Sequence, residues 1–158
     1  MPELPHACDV AIVGAGAAGL ATAIFTRRLG PARSVVLLEG AKRPGAKILV
    51  SGGSRCNITN TNVSERDFWG GRSTIVRSVL RAFPVAETIV FFREIGVSLH
   101  EEAGGKLFPD TNRARDVLDA LLREADRVGA TLVQDCRVLD VQRVDAGFLV
   151  TTSRGDLA

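Results

Sequence analysis

The chain has 158 residues, of which 46% are hydrophobic and 24% charged, and its net charge is +2. This composition is typical of about one globular domain, and the small charge argues against nucleic acid or an anionic membrane as a partner. The three cysteines are far apart and without metal-ligand spacing, so we expect no metal site and a reducing, cytoplasmic environment.

The first organised feature is a short apolar run, residues 10–13, that ends in a glycine turn of the form G-x-G-x-x-G over residues 14–19. Gly14 is expected to make the tight turn out of the strand, and Gly16 lets a pyrophosphate approach the backbone. Gly19 allows a helix to pack closely on the strand. That helix, starting at Ala17 and Ala18, points its free N–H groups and positive dipole end at the phosphates.

An acidic residue stands where a dinucleotide site needs one. A second apolar run ends in Glu39, twenty residues beyond Gly19. Its carboxylate can accept hydrogen bonds from ribose hydroxyls and would repel a 2′-phosphate, which disfavours NADP. The alternative is a buried strand–turn–helix with an incidental surface glutamate. The combination of strand, glycine turn, helix and acidic residue favours a dinucleotide site.

The next segment contains few core-forming residues. Residues 40–47 read as a basic, flexible connection, and residues 51–62 as a loop of glycines, hydroxyls and amides. Its backbone N–H groups could form an anion-binding concavity. Lys47 and Arg55 could add positive charge near phosphate oxygens. The alternative is a plain surface loop, and composition alone does not separate the two.

The remaining elements follow from periodicity and turn residues. Trp69 is expected to pack. Residues 131–133 predict the next parallel strand, and 136–144 with 148–152 predict two antiparallel strands that turn at 145–147. Helices are predicted over about 17–29, 73–82, from Pro84 to just before Gly96, and 114–128, with a hairpin at 97–102 and 106–109.

The run over residues 42–60, K-R-P-G-A-K-I-L-V-S-G-G-S-R-C-N-I-T-N, resembles the signature of YhiN/BaiN-type flavoproteins. These are also known as NAD(P)/FAD-dependent, aminoacetone-oxidase-like oxidoreductases. Further similarity at 82–84, 91–97, 105–109 and 114–122 extends the resemblance over nearly the whole chain. Two departures stand out. Ser54 replaces the third glycine of the run, which makes a positive φ more costly there, and Lys106 replaces an arginine.

The resemblance implies an α/β, Rossmann-like FAD/NAD(P)-binding fold of the glutathione-reductase type. It would have a parallel sheet, flanking helices and a β-meander. Because family members are longer, we expect the fold to be incomplete at the C-terminus. Residues 1–158 would then form a single partial FAD-binding domain, with a helical and hairpin insertion around 63–110 and no substrate domain.

The cofactor implied by the resemblance is FAD. The glycine turn would bind its pyrophosphate and Glu39 its ribose, while residues 51–57 would lie along the pyrophosphate toward the isoalloxazine and Val138 would contact the adenine. For Cys56 a packing or polar role is favoured over redox chemistry. The predicted cofactor-binding residues are Gly14, Gly16, Ala17, Ala18, Gly19, Glu39, Lys47, Ser51, Gly52, Gly53, Arg55, Cys56, Asn57 and Val138.

Three functions are compatible with this interpretation. The first is the FAD-binding portion of an oxidoreductase that transfers hydride through the flavin. The second is a truncated, non-catalytic fragment that binds FAD or ADP. The third, an NAD-only Rossmann domain, is disfavoured by the serine–glycine loop and the meander. A full-length form would use NAD(P)H or a small-molecule substrate, and a split form a complementing chain. No nucleic acid or membrane is expected, and no catalytic residue is identified.

Overall fold

The computed structural model describes residues 2–158. The chain divides into two compact units, one formed by the residues up to Ile48 together with Leu121–Ala158, the other by Leu49–Ala120. The expected single domain over 1–158 stays a prediction. Among residues 2–158, no helix combines the length and apolar character needed to cross a membrane.

The elements follow in chain order. They are β1 (Val10–Val13), α1 (Ala17–Leu29), β2 (Val35–Leu38), α2 (Ala46–Ser54), β3 (Thr59–Asn60), a 3₁₀ turn (Glu65–Asp67), α3 (Ser73–Ala82), α4 (Val85–Glu94), β4 (Leu99–Glu102), β5 (Lys106–Pro109), α5 (Ala114–Arg127), β6 (Thr131–Val133), β7 (Val138–Val144), β8 (Gly147–Thr152) and β9 (Gly155–Leu157).

A parallel sheet organises the first unit, with strand order β1-β2-β6. Val10 is paired with Val35 and Val13 with Leu38, and β6 pairs with the other edge of β2. All four residues of β2 are buried, as expected for a central parallel strand covered on both faces. β1 lies at an edge of this sheet, and its Val13 is 63% exposed. The predicted parallel strand at 131–133 is confirmed.

An antiparallel meander, β7-β8-β9, completes the first unit. The two predicted strands and their turn are present, and β9 adds a third strand that the sequence analysis did not anticipate. The Ala158 N–H donates to the carbonyl of His6 at 3.0 Å, and the Cys8 N–H donates to the carbonyl of Ala158 at 2.9 Å. These bonds tie the end of the meander to the segment before β1. Sheet and meander share a buried core of Val36, Leu38, Val133, Cys136, Val150 and Leu157.

A buried carboxylate links α1 to the C-terminal part of α5. The Glu124 side chain is only 6% exposed. It accepts hydrogen bonds from Arg28 at 2.7 Å and from Arg127 at 2.6 Å. The Arg127 hydrogen bond, and then that from Arg28, outweigh the effect of burial and lower the pKa of Glu124 below its ordinary value of 4.5.

The second unit combines an antiparallel sheet, order β3-β5-β4, with helices α3 and α4. The predicted hairpin is confirmed as β4 and β5, in which Glu102 faces Lys106 and His100 faces Phe108. The expectation that Trp69 packs is wrong, because its side chain is 89% exposed. Helix α3 has no buried residue; its Ile75 and Val79 are exposed, and its Val76 and Leu80 are half-buried.

Helix α2 corrects the expected boundaries of the flexible connection over residues 40–47 and of the loop over residues 51–62, since it spans Ala46–Ser54. A helix starts at Ala46, and its backbone leaves the right-handed helical conformation at Ser51. A left-handed turn follows, in which Gly52 has φ 54°, Gly53 φ 68° and Ser54 φ 65°. Such φ values are free of steric cost for glycine but cost about 1–2 kcal/mol for a residue with a Cβ. Ser54 therefore adopts the costly conformation that its replacement of a glycine suggested.

Replacing Ser54 with glycine should stabilise the protein. Removal of the Cβ relieves the left-handed strain, partly offset by the greater backbone entropy of glycine in the unfolded chain, for a net gain of about 0.5–1 kcal/mol. Urea unfolding measures the change. The matched control is Ser78→Gly in the middle of α3, where glycine should lower stability by about 0.5 kcal/mol. A loss of stability in Ser54→Gly would show that the left-handed conformation is not strained.

Replacing Glu124 with glutamine should lower the free energy of unfolding at neutral pH by about 1–3 kcal/mol, since the hydrogen bonds from two guanidinium groups lose their acceptor charge. The folded-state pKa is depressed, so the stabilisation by Glu124 is complete above its unfolded-state pKa and is lost as pH falls through the folded pKa. The difference between wild type and variant in urea unfolding should shrink below about pH 4.5. A difference that is independent of pH would contradict this account.

Candidate dinucleotide-binding site

The glycine turn lies between β1 and α1, as predicted. Gly14 has φ 93°, a conformation that glycine adopts freely, and its N–H donates to the carbonyl of Leu38 at 2.8 Å. A Cβ on Gly19 would overlap the carbonyl oxygen of Gly14, whereas a Cβ on Gly16 would have no neighbour within 4 Å. Gly19 is therefore required for packing within the protein. The space beside Gly16 is open.

The start of α1 presents donors toward that open space. No side chain caps the helix, and its first turn contains no acidic residue. The N–H groups of Ala17 and Ala18 have no carbonyl partner within the helix. Such groups, together with the positive end of the helix dipole, favour an anion at this position.

Glu39 lies at the end of β2 and connects to the glycine turn. One carboxylate oxygen accepts from the Ala15 N–H at 2.8 Å, and the other accepts from the Ala41 N–H at 2.9 Å. The Glu39 backbone is bonded to Val133 and Cys136, both at 2.9 Å. A carboxylate has about four lone-pair sites, so two remain for further donors. The side chain is thus held in place and keeps capacity to bind hydroxyl groups.

These features of the first unit fit the pyrophosphate and ribose of a dinucleotide. The open space at Gly16 is a cradle that any larger side chain would fill. Unpaired helix N–H groups suit phosphate oxygens, and the anchored Glu39 carboxylate suits the two hydroxyls of a ribose.

Two further predicted residues belong to the first unit. Lys47 in α2 is exposed, and Val138 packs against the core of the first unit at the start of β7.

The other predicted residues, 51–57, belong to the second unit. A Cβ on Gly52 would lie 2.6 Å from the Asn57 nitrogen and 2.9 Å from a carbon of the Phe108 ring, while a Cβ on Gly53 would be unobstructed. Gly53 and Asn57 are exposed. The turn therefore combines a tightly packed inner side with an accessible outer side.

The Arg55 side chain is bound to other residues of the same unit. Its guanidinium lies 2.6 Å from Glu102 Oε1 and 3.4 Å from Asn112 Oδ1. The Arg55 hydrogen bond is the main cause that lowers the pKa of Glu102. His100 lies beside this pair, with Nε2 at 3.4 Å from Glu102. No sequence motif pointed to Glu102, although strand alternation places it on the same face as His100.

Cys56 is buried, with φ 64°. Burial raises the pKa of its thiol, and a hydrogen bond with the Ser51 side chain lowers it to a smaller extent. A raised pKa keeps the thiol protonated at neutral pH, which makes it a poor nucleophile. This agrees with the packing or polar role favoured from the sequence. Cys8, Cys56 and Cys136 are all free thiols.

Comparison with known proteins assigns the family. The model of the HI0933-like protein Rossmann domain matches residues 8–158. The chain is 34% identical over 140 residues to a ribosomal RNA dihydrouridine synthase of Escherichia coli, covering 89% of this chain and 34% of that protein. It is 31% identical over 141 residues to a 3-dehydro-bile acid delta(4,6)-reductase of Clostridium scindens, covering 89% and 34%. The chain thus spans about a third of the length of these relatives.

A solved structure supports the fold. The 3-ketosteroid-delta4-(5alpha)-dehydrogenase of Rhodococcus jostii is similar with a TM-score of 0.68 at 16% identity, covering 99% of this chain and 44% of that one. The predicted α/β Rossmann fold, with its parallel sheet and flanking helices, is confirmed. The predicted FAD-binding, YhiN/BaiN-type relationship is confirmed with it. The chain therefore belongs to the HI0933-like Rossmann domain family.

Proposed function

We propose that this chain supplies the FAD-binding part of an oxidoreductase that transfers hydride through the flavin. The observation that supports it is the glycine turn, which leaves open space at Gly16. The Glu39 carboxylate is held beside this turn by a hydrogen bond from the Ala15 N–H at 2.8 Å. Bound FAD supplies the redox chemistry itself. The residues of this chain contribute binding and orientation.

Each predicted site residue has a role in this proposal. The turn, with Ala17 and Ala18 at the start of α1, binds the pyrophosphate, and the two remaining lone pairs of Glu39 accept from the adenosine ribose. Val138 contacts the adenine. Lys47 adds positive charge near phosphate oxygens, and residues 51–57 offer backbone N–H groups and an accessible outer side to the cofactor.

The names of the relatives suggest the direction of the reaction. One is a dihydrouridine synthase and the other a reductase, and both names describe the addition of hydrogen to a substrate. We therefore infer a reductive reaction for the protein to which this FAD site belongs. The substrates named differ in class, an RNA nucleoside and a bile acid, so the inference concerns the reaction and not the substrate.

A second candidate is binding of FAD or ADP without catalysis. It is favoured by the chemistry of the first unit, whose polar candidate groups are backbone N–H groups, the Glu39 carboxylate and the Lys47 ammonium. Such groups hold a cofactor but do not by themselves form an activated nucleophile or a general acid–base pair. Both candidates require a nucleotide site at the glycine turn. They differ in whether a bound flavin is reduced by NADH or NADPH.

The experiment that tests the proposal is the visible absorption spectrum of the purified chain after incubation with FAD and desalting. Retained flavin bands are expected. Bleaching of these bands by NADH or NADPH under argon would support the oxidoreductase. Unchanged bands would favour binding without catalysis. A colourless protein would contradict the assignment of a sufficient FAD site to these residues.

Replacing Gly16 with valine should weaken FAD binding more than about a hundredfold with little change in stability, because the added side chain fills the cradle, where its Cβ has no protein atom within 4 Å. Equilibrium titration and thermal unfolding measure the two effects. Gly71→Val is the matched control, since a Cβ there meets only Val76, at 3.7 Å, and both properties should be retained. Gly19→Ala should instead lower stability. Full FAD affinity in Gly16→Val would show that the phosphate lies elsewhere.

Replacing Glu39 with glutamine should weaken FAD binding by about tenfold, since hydrogen bonds to a charged acceptor contribute more than those to an amide. One partner of the side chain is also lost, because the amide nitrogen faces either the Ala15 or the Ala41 N–H. Fluorescence titration with FAD measures the change, with Asp145→Asn in the exposed hairpin turn as the control. Equal or tighter binding would argue against the ribose contact.

A further inference from the structure

The second unit holds Arg55 by three different contacts. Its Nη1 lies 2.6 Å from Glu102 Oε1 and 3.4 Å from Asn112 Oδ1. Its guanidinium carbon lies 4.1 Å from the centroid of the Phe108 ring, within the range of a cation–π contact. Glu102 and Phe108 lie on the β4–β5 hairpin, about fifty residues along the chain from Arg55. The hairpin thus determines where this side chain lies.

Phe108 contacts the turn at a second place. Its ring, only 3% exposed, would be 2.9 Å from a Cβ on Gly52. The same ring therefore packs against the backbone of Gly52 and against the guanidinium of Arg55. Through this one ring, both Gly52 and Arg55 contact strand β5.

Arg55 lies between two residues in an unfavourable conformation. Ser54 has φ 65° and Cys56 has φ 64°. Residues with a Cβ persist in this region only where their surroundings over-determine the backbone. The contacts of Arg55 with Glu102 and Phe108 provide that constraint, because they fix the side chain between the two strained positions.

We propose that Glu102 and Phe108 are positioning residues for the cofactor. They hold Arg55, and through it the turn at 51–57, in the conformation that receives FAD. Arg55 then acts mainly as an anchor of the turn, since its charge is already paired with Glu102. The inference rests on the proposed function, in which this turn contacts the cofactor. It differs from the role expected for Arg55 from the sequence, a cation placed near phosphate oxygens.

Two substitutions distinguish these roles. Arg55→Lys keeps the charge but loses the planar fork and the ring contact, and Glu102→Gln keeps the shape but loses the ion pair. If Arg55 is an anchor, each should weaken FAD binding by about tenfold. The double variant should be little worse than either single variant, because both remove the same interaction.

The chain offers a matched control in the same unit. Glu65 and Arg77 form another ion pair with the same 2.6 Å distance and comparable exposure, at positions eight and twenty residues after the turn at 51–57. Glu65→Gln should change FAD affinity by less than about twofold. If Arg55 instead leaves Glu102 to bind phosphate, Glu102→Gln should bind FAD more tightly and Arg55→Lys nearly normally. Either result, or additive losses in the double variant, would overturn the proposal.

Amide hydrogen exchange tests the anchor without FAD. The Cys56 N–H donates to the Ser51 carbonyl at 3.0 Å and closes the turn. Its exchange should be at least about tenfold faster in Glu102→Gln than in wild type or Glu65→Gln, while that of the Gly14 N–H is unchanged. Unchanged protection of Cys56 would refute the positioning role. If wild type binds no FAD, the proposed function fails, and the exchange measurement still decides whether Glu102 holds the turn.

Discussion

Close backbone packing between the start of α1 and the glycine turn is the constraint on which the first unit depends. The helix can begin where it does because Gly19 has no side chain, since a Cβ there would overlap the Gly14 carbonyl oxygen. This approach places the Ala15 N–H within 2.8 Å of the Glu39 carboxylate. One contact between two glycines therefore links strand, helix and acidic residue, and leaves the space at Gly16 open.

The second unit shapes its turn by the opposite means. Glycine allows the left-handed conformation at two positions, but Ser54 and Cys56 adopt it against steric cost. Side-chain contacts compensate, above all those of Arg55 with Glu102 and Phe108. Binding sites often contain residues that the surrounding structure holds in an unfavourable backbone conformation. A turn that is already held in one conformation loses less entropy when a ligand binds.

The family comparisons separate what this fold provides from what it leaves to other parts of a protein. Relatives of about equal similarity bear the names of enzymes that act on ribosomal RNA and on a bile acid. A shared Rossmann domain is compatible with both, since a fold supports many activities and the substrate is selected by a particular site.

The sequence by itself determined the fold class, the glycine turn, and the helices and strands of the sheet, and its family resemblance implied FAD as the cofactor. These depend on local signals: glycine spacing, apolar periodicity and a specific motif over residues 42–60. Only the tertiary structure decided that Glu39 is bonded to Ala15 and Ala41, that β9 completes the meander, and that Arg55 pairs with Glu102. These contacts join residues distant in the sequence or depend on side-chain direction, and no local pattern encodes which donor meets which acceptor.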